Sequence, residues 1–200
     1  QRQMCIRDSI DEPNNPVLIN GSNVILNNVR ARKLRGSDSL TISGKVQVDS
    51  GPVEAPDSIT LKPGAEIATT LATTDLIIEA QENAPHIQGV TNIERLFIRN
   101  GTISQLPKLE MNRLKQVEVG NGATVSTHVS APQVRIEQAS ILSNVSLTRS
   151  NDSTTPQLYT DLGRISGDIE ASSGEVKLTN HSTIHGNECK ASTFTSTDSS

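Results

Sequence analysis

Three side chains near the carboxyl end of the sequence are of the types that bind transition metals. His181, His185 and Cys189 offer two imidazoles and one thiol at intervals of four residues. A structural zinc site requires about four converging ligands, and no fourth ligand is evident. A four-residue interval aligns side chains on a helix, whereas this stretch has the pattern of strands and corners. We therefore expect no metal site and no cofactor.

Carboxylates are the second group with possible chemistry, because glycoside hydrolases and lyases use acidic side chains that converge on one groove. No two aspartates form a recognisable pair at the spacing of one repeat, and Tyr159 is nearly alone as an aromatic platform for a sugar. We therefore expect no catalytic residue. Any site is expected in the insertion Arg149–Thr160, because loops on a rigid scaffold often carry function. The aspartates considered are Asp49, Asp57, Asp152, Asp161 and Asp168.

Charge and hydropathy exclude two classes of partner. The net charge is −4, which argues against nucleic acid as the main partner. The basic run RARKLR, Arg30–Arg35, has no interleaved aromatic residue for base stacking and is expected to be a solvated face. No apolar run reaches the length of a membrane span, so direct membrane insertion is not expected.

A repeated apolar-x-apolar triplet indicates the short strands on which these residues would lie. Val117-x-Val119 is followed 17 residues later by Val134-x-Ile136, and each triplet precedes a turn and two further apolar residues. The alternation within a triplet predicts a short strand with one buried face. Similar triplets begin at Leu40, Ile59, Leu76, Leu96 and Val176, and irregular copies begin at Val17 and Leu158.

Corners rich in Gly, Asn and Ser separate the strands every five to eight residues, as at Asn20, Ser43, Asn100, Gly120 and Ser166. That frequency is typical of a parallel β-helix with a repeat of roughly 17 to 21 residues, not of hairpins. Aromatic residues make up only 2% of the chain, so small aliphatic side chains must fill the core. We predict an all-β fold, a single parallel β-helix (solenoid) of about eight coils.

A shorter motif, I-x-G-x-apolar, recurs within the repeats. It reads ISGKV at Ile42–Val46, ISGDI at Ile165–Ile169 and IHGNE at Ile184–Glu188, where Glu188 replaces the last apolar residue; IQGV at Ile87 is a shortened copy. Glycine tolerates positive φ without steric cost. The motif glycine would therefore permit a tight corner with positive φ.

With this motif the chain resembles the bactofilin family of short polymer-forming β-helices. It is also similar to β-helical segments of large pilus-associated surface proteins of the mannose-sensitive haemagglutinin system. The resemblance lies in the repeat pattern of Leu40–Gly186 and not in a residue-by-residue alignment. It implies a right-handed solenoid. The chain departs from bactofilins in its less uniform coils and in the insertions Glu79–Pro85 and Arg149–Thr160.

The ends of the sequence do not follow the repeat. QRQMCIRDS at the amino end resembles translated sequencing adaptor, as in the ends of metagenomic reading frames, so residues 1–10 are interpreted as a non-native segment. Residues 11–16 are predicted to be a linker and residues 17–186 the β-helix. Residues 187–200, which lack periodicity, are predicted to be a disordered polar tail.

These features favour a non-catalytic structural or adhesive module of a bacterial envelope or surface protein, located outside the cell or in its envelope. Its expected partners are other protein modules or cell-surface components. The first alternative is a bactofilin-like cytoplasmic scaffold that self-associates end to end, because a solenoid without caps presents free strand edges. The second alternative is a polysaccharide lyase or hydrolase.

Overall fold

The structure, a computed structural model, describes residues 10–21, 24–79, 86–110, 112–149 and 154–197. Within these residues it contains strands and turns but no helix. The strands are parallel and stack as a β-solenoid of about nine turns, which confirms the predicted fold class. The chain divides into two compact units, which comprise residues 1–94 with 107–113 and residues 95–106 with 114–200.

Unit 1 forms two parallel sheets. One sheet contains β2, β4, β7 and β9, and the other contains β1, β3, β5, β6, β8 and β10. The described strands of this unit are β1 Ile10–Ile19, β2 Val24–Leu26, β3 Val29–Gly36, β4 Ser39–Ile42, β5 Lys45–Val48, β6 Val53–Glu54, β7 Ser58–Leu61, β8 Glu66–Ala72, β9 Asp75–Glu79 and β10 His86–Thr91.

Unit 2 turns through three short strands in each regular coil. β13, β14 and β15 make one coil, and β16, β17 and β18 make the next. The described strands of this unit are β11 Arg95–Arg99, β12 Thr102–Ile103, β13 Gln116–Gly120, β14 Thr124–Val125, β15 Val129–Ala131, β16 Gln133–Glu137, β17 Ser140–Ile141, β18 Val145–Leu147, β19 Gln157–Asp161, β20 Arg164–Ile165, β21 Ile169–Thr179, β22 Thr183–Ile184 and β23 Cys189–Thr197.

The predicted triplets are the buried ladders of both units. The register aligns the first apolar residue of each triplet with its counterpart in the next coil, and these side chains are at most 1% exposed. Each such side chain contributes about 1.5–3 kcal/mol on burial, and only the stack of coils provides that burial. The ladder is Val24, Leu40, Ile59 and Leu76 in unit 1, and Leu96, Val117, Val134, Leu158 and Val176 in unit 2.

A column of left-handed residues forms one corner of unit 2. The residue immediately after each of β11, β13, β16, β19 and β21 has φ between 49° and 60°. Asparagine adopts this conformation more readily than other residues with a side chain, which explains why it is frequent there. The column contains Asn100, Asn121, Gln138, Leu162 and Asn180.

The motif glycines do not adopt the positive φ that glycine would permit there. Gly44, Gly167 and Gly186 are absent from the left-handed region. Their role is close packing between coils: a Cβ on Gly167 would lie 2.6 Å from the backbone nitrogen of Asn144. The requirement for glycine comes from the neighbouring coil and not from the dihedral angles of the corner.

Both ends of the solenoid differ from the predicted boundaries. Residues predicted to be a linker lie in β1, which pairs in parallel with β3, and the register shift between Glu12 and Pro16 accommodates the prolines, which lack an N–H. Residues 189–197, predicted to be disordered, form β23 on β21. Backbone pairing extends the sheet there although the sequence has lost its apolar alternation.

Several sequence predictions fall on residues outside the described ranges. The segment resembling sequencing adaptor lies at residues 1–9, and residues 80–85 contain most of the first predicted insertion. Residues 150–153, within the second insertion, and the carboxyl-terminal residues 198–200 are likewise not described.

Candidate functional site

The three potential metal ligands lie on different parts of the last coil. His181 is in the turn after β21 with φ of 59°, His185 lies between β22 and β23, and Cys189 begins β23 as an exposed free thiol. Although the Cys189 residue is exposed, partial desolvation of its thiol raises its pKa. Across the described residues, no three His, Cys, Asp or Glu side chains are grouped to bind a metal ion. The structure therefore does not bring these residues together.

Two of the candidate aspartates hold corners of the solenoid. The Asp168 carboxylate accepts hydrogen bonds from the backbone N–H groups of Asn187 at 2.7 Å and Glu188 at 3.0 Å. One coil earlier, Asn144 Oδ1 accepts the N–H of Asp168 at 2.9 Å. Asp161 Oδ1 accepts a hydrogen bond from the Asn180 amide at 2.7 Å. These acidic groups satisfy polar groups of the adjacent coil, which is a structural role.

The other candidate aspartates are not grouped into a site. Asp57 contributes its backbone to the ladder, because its N–H donates to Asp38 and its carbonyl accepts from Asp75. The backbone N–H of Asp49 donates to the Ala31 carbonyl in the preceding coil. Asp152 lies outside the described residues.

Tyr159 stands in a column of charged side chains on the outer face of unit 2. The Arg135 guanidinium lies 5.1 Å and the Lys177 ammonium 5.9 Å from the centroid of the Tyr159 ring. Register places Arg135 and Lys177 in the coils on either side of Tyr159. Cation–π contacts therefore link the ring to the coils on either side of it.

The basic run Arg30–Arg35 is an exposed face of β3, as expected. Its charged side chains alternate with the buried Ala31 and Leu34. Arg35 forms an exposed ion pair with Glu54 of the next coil at 3.6 Å.

A groove on unit 1 was not predicted from the sequence. We name it the unit 1 groove, and it consists of two adjoining cavities of about 430 Å³ each that share Arg35, Pro52 and Glu54. Register creates it by aligning residues from five strands that pair side by side, namely Leu18, Arg35, Glu54, Ala72 and Thr91. These residues share one outward position on neighbouring strands, and that shared position can be recognised only when the register is known.

The two halves of the unit 1 groove differ in chemistry. The first half is lined by Pro16, Pro52 and Leu18, whose side chain is 61% exposed. The second half is lined by polar side chains that include Thr74, Asn92 and Arg113. Hydrogen bonds and ion pairs fix this polar wall, because Arg113 donates to Asn92 Oδ1 at 3.1 Å and pairs with Glu94 at 3.7 Å.

None of the described residues forms a helix that is long and apolar enough to cross a membrane.

The fold and its ladders define the class of protein as a parallel β-solenoid repeat protein. No protein-family model, curated protein or solved structure matches the chain.

Proposed function

We propose that the chain is a non-catalytic structural or adhesive module of a bacterial envelope or surface protein. The observation that carries this proposal is the use of Asp161 and Asp168 to bind neighbouring coils. Carboxylates that are hydrogen-bonded to the next coil make the scaffold more rigid, but they do not converge to form a catalytic pair. The resemblance of the repeats to β-helical segments of pilus-associated surface proteins supports the location.

Two measurements test this function. Sequencing the genomic DNA outward from both ends of the reading frame should find an export signal upstream and further modules downstream. A short frame with only polar flanking segments would instead favour a cytoplasmic scaffold. Incubation of the purified chain with neutral and acidic polysaccharides, with and without calcium, should yield no cleavage products, whereas cleavage would favour the hydrolase or lyase.

Asp168 offers a sharper test of its role in the proposed scaffold. Asp168→Asn keeps a carbonyl oxygen to accept the two backbone N–H groups, whereas Asp168→Ala removes both bonds. Because both hydrogen bonds are exposed, we expect the alanine variant to lose about 1 kcal/mol in free energy of unfolding and the asparagine variant to lose less. Equal losses in both variants would mean that the negative charge, and not the hydrogen bonding, is what matters at this corner.

End-to-end self-association is the second candidate function. It is favoured by β23, which pairs with β21 on one side and has no partner strand on the other among the described residues. Phe194 continues the buried ladder above Val176 but is 51% exposed. An open edge with an exposed ring is a template for another strand.

Sedimentation velocity over a range of protein concentrations tests self-association. If it occurs, Phe194→Glu should abolish the concentration-dependent species, while Leu142→Glu, at a side chain with similar exposure of 47%, should leave them unchanged. A single monomeric species at every concentration would exclude this candidate.

A further inference from the structure

We propose that one face of unit 2 binds the ordered water of an ice surface. This face, which we name the hydroxyl face, is the outer side of the parallel sheet of β12, β14, β17, β20 and β22. It consists of the outward side chains of residues 102–104, 124–126, 140–142, 164–166 and 183–185. Ice binding goes beyond the structural or adhesive role proposed above and does not depend on where the chain is located.

The first row of the hydroxyl face is formed by the residue that begins each of these strands. The strands pair in parallel, and each of these residues lies beside its counterpart in the next coil. The next residue of each strand is Ile or Val and points into the solenoid, so the row points outward. The row contains Thr102, Thr124, Ser140, Arg164 and Thr183.

The second row is formed by the residue that follows each strand. Backbone pairing continues through this position, because Ser126 donates its N–H to the Ile103 carbonyl and Leu142 donates to the Val125 carbonyl. The same bonds join Ser166 to Ile141 and His185 to Ile165, so this row is also in register. The row contains Ser104, Ser126, Leu142, Ser166 and His185.

The first three coils of the hydroxyl face are uncharged, and their hydroxyl groups are free to bind water. Of the six outward side chains in these coils, five carry a hydroxyl and the sixth is Leu142. Within the part of the chain that the structure describes, none of these five hydroxyls makes a hydrogen bond. Each hydroxyl can both donate a hydrogen bond to an ordered water molecule and accept one from it.

The two rows place these hydroxyls on a regular grid. Neighbouring strands lie about 4.8 Å apart, and alternate residues along a strand lie about 6.6 Å apart. Both repeats are comparable with the two repeats of the oxygen atoms on a prism face of hexagonal ice. The grid is carried by paired strands above the buried Ile103, Val125 and Ile141, so little conformational ordering is required on binding.

Other classes of ligand fit the hydroxyl face less well. Aromatic side chains are frequent in sites for organic ligands, but Phe97 and Tyr159 belong to strands of a different sheet, β11 and β19. A polyanion requires several cations, and Arg164 is the only side chain of this face with a permanent charge. Protein interfaces are usually anchored by buried aromatic or arginine side chains, and the first three coils of the face offer neither.

The test is partition of the full chain into slowly growing polycrystalline ice. We expect the chain to be enriched in the ice fraction relative to an unrelated soluble protein in the same solution. Ser126→Lys should abolish this enrichment, because it places a strongly hydrated charge in the middle of the grid. Thr195→Lys is the matched control: it adds the same charge at an exposed residue of β23, which belongs to a different sheet, and should leave the enrichment unchanged.

A gain of function is also expected. Leu142→Thr completes the grid of the first three coils with a sixth hydroxyl, so this variant should be enriched in ice more strongly than the unmodified chain. Leu142 is exposed, and its replacement therefore removes little apolar burial from the core.

Three results would overturn the proposal. They are exclusion of the unmodified chain from ice, unchanged enrichment of Ser126→Lys, or an equal loss in Ser126→Lys and Thr195→Lys, which would show that any added charge prevents uptake. Circular dichroism of each variant verifies that the fold is retained, and the three substitutions are at exposed residues. Failure of ice binding would leave the structural role intact, because the genomic context and the Asp168 variants test that role separately.

Discussion

Gly186 packs directly against the backbone of Gly167 in the preceding coil, where a Cβ on Gly186 would lie 2.7 Å from the Gly167 carbonyl carbon. Gly167 is in turn packed against the backbone of Ser143 and Asn144. The chain thus approaches its neighbouring coil closely at the glycine of the I-x-G-x motif. This contact is between backbones, so a rotamer change cannot relieve an added methyl group.

Gly167→Ala should therefore destabilise the solenoid by about 3 kcal/mol, because the methyl group forces two coils apart. Gly120→Ala is the matched control, since a Cβ there would meet its nearest atom, the Glu137 carbonyl oxygen, at 3.6 Å and φ is not positive. We expect that control to be neutral or up to about 1 kcal/mol more stable. Denaturant unfolding followed by circular dichroism measures both, and equal effects would show that coil packing is not the constraint.

Leu162→Asn should stabilise the chain by about 0.5–1 kcal/mol. Leu162 has φ of 51° and is 48% exposed, so the substitution relieves left-handed strain with little loss of apolar burial. Asn100, Asn121 and Asn180 already occupy the same corner position in other coils. Leu142→Asn, at an exposed residue without positive φ, should give no such gain; a gain in both variants would point to solubility instead of backbone strain.

The ladders could be predicted from the sequence because they depend on local alternation. Each triplet, such as Val117-x-Val119, specifies which side chains face inward, and any coil with that pattern joins the stack. The contacts of Gly167 and the unit 1 groove could not be predicted in this way. Both depend on which residues lie side by side in successive coils, and insertions change that alignment from coil to coil.

The ends illustrate the same limit. In β23, Phe194 and Ser196 occupy inward positions above Val176 and Leu178, although the segment has no apolar period. In the irregular coil that begins at Leu158, Thr160 takes the second buried position between Ile136 and Leu178. A polar residue is tolerated there because its hydroxyl finds a partner, which the sequence does not reveal.

That partner is Ser182, and we expect the two residues to be energetically coupled. The Thr160 hydroxyl, in a fully buried side chain, donates to Ser182 Oγ at 3.2 Å. Ser182 Oγ also accepts the N–H of Gly163 at 3.2 Å and donates to the Thr179 carbonyl at 2.6 Å. Ser182→Ala should cost about 1–3 kcal/mol because it leaves a buried hydroxyl and an N–H without partners.

Thr160→Val should cost less than about 1 kcal/mol, because Ser182 keeps its other two hydrogen bonds. The double variant should be more stable than the sum of the single losses predicts, with a coupling energy of about 1 kcal/mol. Chemical denaturation of the four proteins gives this value. Strict additivity would indicate that water replaces Ser182 as the partner of Thr160.

The last prediction concerns the Glu170 carboxyl, which lies beside β23. A hydrogen bond from the Ser172 hydroxyl and, less strongly, the charge of Lys190 at 3.7 Å lower the pKa of Glu170 below its ordinary value of 4.5. In a titration followed by the carboxyl carbon-13 shift, Ser172→Ala should raise that pKa more than Lys190→Gln does. The reverse order would assign the shift to the ion pair.

The lowered pKa of Glu170 also determines how this carboxyl group changes the free energy of unfolding with pH. Because the pKa is lower in the folded chain, the charged carboxylate stabilises the fold at pH above 4.5, and this contribution is lost as the pH falls through the folded-state value.

Lys190 behaves in the opposite sense: its hydrogen bond to Glu188, at 3.0 Å, and the nearby carboxylates raise its pKa above 10.5. Its contribution is present below pH 10.5 and is lost as the pH rises through the raised value. Both groups are exposed, so each effect is small and should disappear at high salt. The measurement is the fall of the thermal unfolding midpoint as the pH is lowered. If that fall does not depend on salt and is still present in Ser172→Ala, the carboxylate responsible for it lies elsewhere in the solenoid.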